Sequence, residues 1–243
     1  MKDIGTAMAE EIRILDLALY LRKHKTLIFS DFHIGYEEML TSRGTLIPRF
    51  QLRNTMARLE KIFTTINHPL ERIIINGDLK HEFGNISVQE WREILKLIDY
   101  FSSKCKEIII IKGNHDVKLM PIARKRNIRI VTNYHLGNIL IAHGDTLEDM
   151  SKEIKAVIIG HEHPAITIRS SIRSERFKCF LKGKYKRKTL IVQPSFNILT
   201  EGTDILSEKT HSPYLQSLDD FEVYVVAEEK ALYFGKVRHL NTR

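Results

Sequence analysis

Short runs of isoleucine, leucine and valine recur along the chain, and most of them stop abruptly at a cluster of Asp, Asn or His. Leu17 to Leu21 and Thr26 to Ser30 are joined by the charged stretch Arg22-Lys23-His24-Lys25, which predicts a hairpin whose second strand ends at Asp31. Further strands are predicted at Arg72 to Ile75, Ile108 to Ile111, Asn138 to Ile141 and Ala156 to Ile159. Between them the apolar period lengthens. Leu52, Met56, Leu59, Phe63 and Ile66 recur at helical spacing behind Pro48, a residue well tolerated at the first helical position, so a helix is expected to open there. Ser87 and Glu90 have the spacing of a capping box before a second helix, with Trp91, Ile94, Leu95 and Ile98 on one face. Both stripes read as core. After Lys182 strands dominate, with Thr189 to Val192 and a hairpin from Glu222 to Ala227 that returns through Ala231 to Phe234.

Strands alternating with helices predict an α/β fold with a largely parallel interior. No Pro, Gly or Ser-rich linker divides the 243 residues, so one domain spanning 1–243 is expected. Hydrophobic residues at 43% and charged residues at 28% place the chain with soluble globular proteins. No apolar run is long enough to span a membrane and Met1 to Ile12 does not read as a leader, which makes the cytoplasm the expected location. Cys105 and Cys179 lack the paired spacing of a zinc ribbon or a disulfide framework and are expected to be buried, reduced thiols. The net charge of +8 favours an anionic partner without naming one. Arg124-Lys125-Arg126 and the run from Lys182 to Lys188 are basic; Tyr185 in the second could stack on a base, although a solvated hairpin is the commoner meaning.

In open α/β sheets ligands sit beyond the carboxyl ends of the strands. Here five successive strand ends read Asp31-Phe32-His33, Asn76-Gly77-Asp78, Gly113-Asn114-His115-Asp116, Ala142-His143-Gly144-Asp145 and Gly160-His161-Glu162-His163. Burying so many ionisable groups together costs several kcal/mol, on the order of that for unpaired buried charges, unless a cation compensates them. If the segments stay extended, Asp31 and His33 point the same way, as do His161 and His163, so each pair can reach one ion. Imidazole and oxygen donors without thiolate suit manganese, iron, cobalt or zinc rather than an all-oxygen calcium or magnesium cage. Glu162, between two donors, should point away; Asp145 either orients His143 or turns the chain; His24, His68, His135, His211 and His239 fall outside the motifs and read as surface or hairpin residues.

The order D-x-H, G-D, G-N-H-D, H and G-H-x-H, filled at every position from Asp31 to His163, resembles the calcineurin-like metallophosphoesterase superfamily. Gly77-Asp78-Leu79-Lys80-His81 is similar to the G-D-x-x-H of SbcD-type repair nucleases. With Gly35-Tyr36-Glu37 and Gln193-Pro194-Ser195-Phe196, the chain resembles the small SbcD-related phosphoesterases of archaea. The resemblance implies a four-layer α/β/β/α sandwich, two mixed β-sheets face to face with helices outside. It implies two divalent metal ions, manganese first, with iron, cobalt or zinc as alternatives. One would sit on Asp31, His33, Asp78 and His163 and the other on Asp78, Asn114, His143 and His161, about 3.5 to 4 Å apart, with a shared water as nucleophile. His115, hydrogen-bonded to Asp116, would protonate the leaving oxygen, and His81 would assist from the other side. The implied activity is metal-dependent hydrolysis of a phosphate ester, most simply a phosphodiester, with DNA or RNA as the narrower substrate. The alternatives are a small nucleotide or other phosphodiester, or a non-catalytic scaffold on the same fold. SbcD-type nucleases carry an additional cap and an ATPase-docking segment, whereas most of the roughly 80 residues after His163 read as strands completing the core, a departure that puts ATPase-coupled end resection in doubt and leaves the phosphodiester chemistry intact.

Overall fold

The computed structural model describes residues 2–7, 10–84, 86–169 and 173–240, so Met1, Met8 and Ala9 of the opening segment lie outside it. Two mixed sheets form the framework. The first has seven strands in chain order: β1 (Lys2–Ala7), β2 (Glu10–Leu15), β3 (Ala18–Leu21), β4 (Thr26–Ser30), β5 (Leu70–Asn76), β6 (Cys105–Ile111) and β7 (Arg129–Val131). β1 to β4 pair antiparallel and β4 to β7 parallel. In the second sheet the order is β14 (Thr203–Asp204), β11 (Pro164–Arg169), β12 (Ser174–Tyr185), β13 (Lys188–Val192), β10 (Ala156–Ile159), β9 (Ile139–Ala142) and β8 (Asn133–Leu136). The hairpin of β15 (Glu222–Ala227) and β16 (Lys230–Lys236) joins it through β12. β9, β10 and β13 run parallel. The helices are α1 (Tyr36–Ser42), α2 (Gln51–Thr64), α3 (Val88–Ser102), α4 (Met120–Arg126) and α5 (Val237–Leu240), none long and apolar enough to cross a membrane.

The runs of the second sheet are continuously apolar because both of its faces are buried. Ile139, Ile141, Ala156, Ile158, Phe180 and Ile191 face the core shared with the first sheet. Their neighbours Leu140, Val157, Ile159, Cys179, Leu181, Leu190 and Val192 face a second core, closed by Ile154, Tyr214, Leu215 and Val237. Irregular segments and the short α5 therefore cover this outer face, whereas α2 and α3 cover the first sheet through Leu59, Ile62, Ile94, Leu97, Ile98 and Phe101. Trp91 and Leu95, expected on the inner face of α3, lie at its margin.

α2 starts at Gln51 rather than at Pro48, and its N-cap, Phe50, supplies no side-chain acceptor. That acceptor comes from elsewhere in the chain. The buried Glu37 of α1 takes the backbone N–H groups of Phe50 and Gln51 on Oε2, at 3.0 and 2.9 Å, placing a carboxylate at the positive end of the helix. The capping box at α3 is half formed: Ser87 Oγ accepts from Glu90 N–H at 3.0 Å. The Glu90 carboxylate turns instead to the loop after β5, accepting from His81 and Glu82 N–H.

The basic run from Lys182 to Lys188 closes the β12–β13 hairpin, with Lys186 and Arg187 both left-handed at φ 44° and 66°, as a two-residue type I′ turn requires. Tyr185 is buried against Tyr214, so it cannot stack on a base. Lys182 pairs with Glu222, and Lys188 donates to the Ser151 and Ile154 carbonyls. This turn lies at the opposite end of β13 from Gln193. Cys105 and Cys179 are free thiols, the first half-buried and the second buried, and burial pushes both thiols up, Cys105 to about 11.

Glu37→Ala leaves two backbone donors at the start of α2 without their charged acceptor. It is expected to lower unfolding stability by about 2 kcal/mol, read as a shift of the urea midpoint at unchanged slope. An unmoved midpoint would show that water replaces the carboxylate without loss.

Candidate metal centre

Strands β4, β5 and β6 of the first sheet and β9 and β10 of the second end on a common edge. A glycine lets each side approach the other. A Cβ on Gly160 would lie 1.9 Å from Ser30 Oγ and 2.6 Å from Asp31 Oδ2, and one on Gly77, at φ +81°, would lie 1.9 Å from His143 Nδ1. Both clashes are between sheets, so the junction exists only where these two side chains are missing.

The segments beyond β4 and β10 are not extended, contrary to expectation. Asp31, His33, Asp78, His161 and His163 all adopt left-handed backbone, with φ between 44° and 63°. The reason is that the chain turns to pair with its neighbour: Asp31 N–H donates to Gly77 O (3.2 Å) and His33 N–H to Asp78 O (2.9 Å). Asp and His tolerate this region better than most residues, at a cost on the order of 1–3 kcal/mol each. The segment after β13 braces the strained turn. Phe196 N–H donates to Ser30 O, while Asn197 N–H and Ser195 Oγ donate to Asp31 O, and Gln51 Nε2 donates to His33 O, all between 2.8 and 3.1 Å. Gln51 and Asn197 carry no signal in the sequence and Ser195 only a place in the motif Gln193-Pro194-Ser195-Phe196; all three are polar side chains buried at the junction.

The structure brings Asp31, His33, Asp78, Asn114, His143, His161 and His163 together in two groups that share Asp78. In one, His163 Nε2 stands 3.3 Å from Asp31 Oδ1 and 3.4 Å from His33 Nε2, which is 3.7 Å from Asp78 Oδ2. In the other, His143 Nε2 is 3.0 Å from Asn114 Oδ1, 3.2 Å from His161 Nδ1 and 3.4 Å from Asp78 Oδ2. Donors bound at about 2.0–2.2 Å to one ion stand roughly 3 Å apart, so this spacing fits a shared cation. The fit is supported by Asp31 Oδ1, which is buried without a hydrogen-bond partner. Nitrogens facing each other at 3.2 and 3.4 Å also match lone pairs converging on a cation.

Burial opposes the charged forms of Asp31 and Asp78, but the adjacent imidazoles, His163 for Asp31 and His143 for Asp78, outweigh it and hold both carboxyls below their usual range. Burial, reinforced by His163, holds His33 well below the usual imidazole range, and burial with His143 lowers His161. A neutral imidazole is the form that ligates. His143 is the exception: despite burial, Asp78 and then Asp31 push it up to about 9, so metal binding there must displace a proton.

His115 and His81 lie beside these groups. His115 N–H donates to Asp78 Oδ1 at 2.9 Å, and its Nε2 lies 3.9 Å from Asp78 Oδ2. Its Nδ1 bonds to the His81 carbonyl, not to Asp116 as expected. Asp116 is committed elsewhere, accepting backbone N–H groups of Gly113, Leu79 and Lys80, and burial pushes it up to about 7. His81 Nδ1 is 3.4 Å from His33 Nδ1, and burial followed by the charge of His115 lowers His81 to about 4. Phe83, which the sequence did not single out, stacks on His115. Glu162 points away and accepts from His211 and Ser212 N–H. Asp145 adds its charge to His143 and His161, while His143 Nδ1 has no hydrogen-bond partner. His24, His68, His135, His211 and His239 join none of the histidine clusters found among the described residues.

Comparison with known proteins follows the same lines. The sequence model of the calcineurin-like phosphoesterase family matches residues 24–230. No curated protein matches the chain by sequence. Among solved structures, a nuclease from Pseudomonas putida superposes with a TM-score of 0.66 at 20% identity, covering 96% of this chain and 99% of that one. A protein of unknown function from Aquifex aeolicus (TM-score 0.37, 19% identity, 57% and 78% coverage) is also similar. So is vacuolar protein sorting 29 from Cryptosporidium parvum (TM-score 0.38, 14% identity, 87% and 97% coverage). At 20% identity the likeness to the Pseudomonas putida protein shows the fold alone.

Gly160→Ala forces a methyl group into Ser30 and Asp31. It is expected to cost about 1–3 kcal/mol of stability and to lower the divalent cation bound per chain, measured by unfolding and by elemental analysis. Parent-level metal content would show that the two sheet edges can part without disturbing Asp31.

Proposed function

Because the chain belongs to the calcineurin-like phosphoesterase family, we propose that it is a metal-dependent phosphodiester hydrolase acting on nucleic acid. The observation that carries this reading is the pair of donor groups, Asp31 with His33 and His163 and Asp78 with His143 and His161, with Asp78 Oδ2 also 3.7 Å from His33 Nε2 and 3.9 Å from His115 Nε2. One cation is assigned to Asp31, His33, Asp78 and His163, the other to Asp78, Asn114, His143 and His161. Manganese is the first candidate, and iron, cobalt or zinc suit the same donors. When bound, such ions polarise phosphoryl oxygens and lower the pKa of water.

The side chains supply the rest. Asp31 and Asp78 provide the negative charge that retains the cations, and Asn114 completes one set without adding more. The His81 carbonyl accepts a hydrogen bond from His115 Nδ1–H and fixes its ring; in the imidazolium form Nε2–H then gives its proton to the departing oxygen, leaving the neutral Nδ1–H tautomer. Acid catalysis of this kind is typically worth about 10² to 10⁴ in rate. His81, kept neutral by burial and by His115, is suited to hydrogen bonding with the substrate rather than to proton donation at neutral pH. A nucleic-acid substrate is favoured by the net charge of +8 and by the fold shared with the Pseudomonas putida nuclease. The basic hairpin around Tyr185 has no part in this reading.

Chelated protein is expected to be inactive on an aryl phosphodiester, and manganese to restore turnover. Asp78→Ala should lose both bound ions and all activity, since it removes the donor common to both groups. Near-normal turnover with two ions retained would refute the assignment; a metal-loaded parent that cleaves no phosphate ester would leave a non-catalytic scaffold as the better reading.

His115→Asn is expected to lower kcat by about 10² or more while metal content stays at the parent level. Loss of metal in step with activity would instead make His115 a ligand.

A further inference from the structure

Phe83 lies with one face on His115, the ring centroids 3.7 Å apart at 30°, yet its side chain is 57% exposed, so the other face is open to water. His81 also stacks on His115, at 5.4 Å and 25°, so Phe83 extends a stack of flat rings outward from the metal centre. The loop carrying it is held at two points. His81 N–H donates to Ile34 O at 3.0 Å and to Glu90 Oε1 at 3.0 Å, and Glu82 N–H donates to the same Glu90 oxygen at 3.3 Å. Glu90 is itself buried and anchored on α3. A lone exposed phenylalanine needs no explanation. Here its ring lies on His115, next to the group assigned to the leaving oxygen.

We infer that Phe83 is a stacking platform for the nucleobase of a nucleoside flanking the scissile phosphate, which makes an unpaired nucleic-acid strand the substrate. This rests on reading the adjacent centre as a phosphodiester hydrolase. A nucleobase is the flat, aromatic group that a sugar tethers beside a phosphodiester, and every base has a π-face, so the contact tolerates sequence. In a duplex those faces are covered by neighbouring bases. An unpaired base can turn onto the ring. Because the platform is already ordered, little freedom is lost when the base docks.

The test compares parent, Phe83→Ala and Phe83→Trp, each manganese-loaded. Substrates are single-stranded DNA, single-stranded RNA and a DNA strand of equal length made of abasic residues; the binding probe is a strand carrying fluorescent aminopurine. The parent is expected to show a KM about 10-fold or more lower on the base-bearing strands than on the abasic one, and to quench aminopurine on binding. Phe83→Ala should lose both the discrimination and the quench at parent metal content, and Phe83→Trp should restore them. Equal effects on DNA and RNA assign the contact to the base; an effect confined to one of them assigns it to the sugar and overturns the platform. A fall in kcat shared by base-bearing and abasic strands would also overturn it, by making Phe83 a prop for His115. Cleavage of aryl phosphodiesters without aminopurine binding refutes the platform and leaves the hydrolase; Phe83-dependent quenching with no ester cleaved refutes the hydrolase and leaves the platform.

Discussion

Asp31 and Asp78 put two carboxylates, each almost fully buried, into the junction between two β-sheets. Charges so placed cost several kcal/mol apiece, as an order of magnitude, unless they are compensated. The imidazoles around them compensate only in part, because burial holds His33 and His161 in the neutral range, while the carboxylates push His143 up. The two proposed cations, one on each side of Asp78, would resolve the imbalance by supplying the missing positive charge and taking neutral imidazoles as ligands. The glycines that let the sheet edges touch and the left-handed turns at the donors fit the same need.

Holding those turns takes a shell of uncharged groups. The segment from Gln193 to Asn197 leaves β13 in the second sheet and crosses to the first: Gln193 donates to Ile28 O, Ser195 and Asn197 to Asp31 O. Gln51, at the start of α2, reaches His33 O. α2 is in turn started by Glu37, and α3 sends Glu90 to the loop of His81, so both covering helices are tied to the centre by hydrogen bonds as well as by packing. Donor geometry and sheet packing are therefore coupled, and a change in either is felt by the other.

Strands that were easy to read in the sequence are those buried on both faces and ending in a donor, such as β5, β6, β9 and β10, because burial makes them continuously apolar. β1, β2, β11 and the first half of β12 were missed. Charged and polar residues break up their apolar pattern, and what keeps them in a sheet is backbone pairing with the next strand, β1 with β2, β2 with β3 and β11 with β12. α1 is too short for a periodic signal, and its role depends on Glu37 meeting α2. The donors themselves were legible as a series of His, Asp and Asn at strand ends. Their backbone conformation was not, since the left-handed turns accompany pairing with other loops, Asp31 N–H with Gly77 O and Thr203 N–H with His163 O. Nor was the partner of His115: the family resemblance implied Asp116, but that carboxylate is consumed by the N–H groups of Gly113, Leu79 and Lys80, and the His81 carbonyl takes its place. Phe83 gave no signal because a single aromatic residue in a loop has no period and no motif.

Anomalous diffraction from crystals grown with manganese tests for the proposed centre, two cations held on either side of the Asp78 carboxylate. Two manganese peaks are expected, one among Asp31, His33 and His163 and one among Asn114, His143 and His161, with Asp78 Oδ2 between them. A single peak, or a peak in the cluster of His33, His81 and His115 with Asp78 bound to nothing, would contradict it.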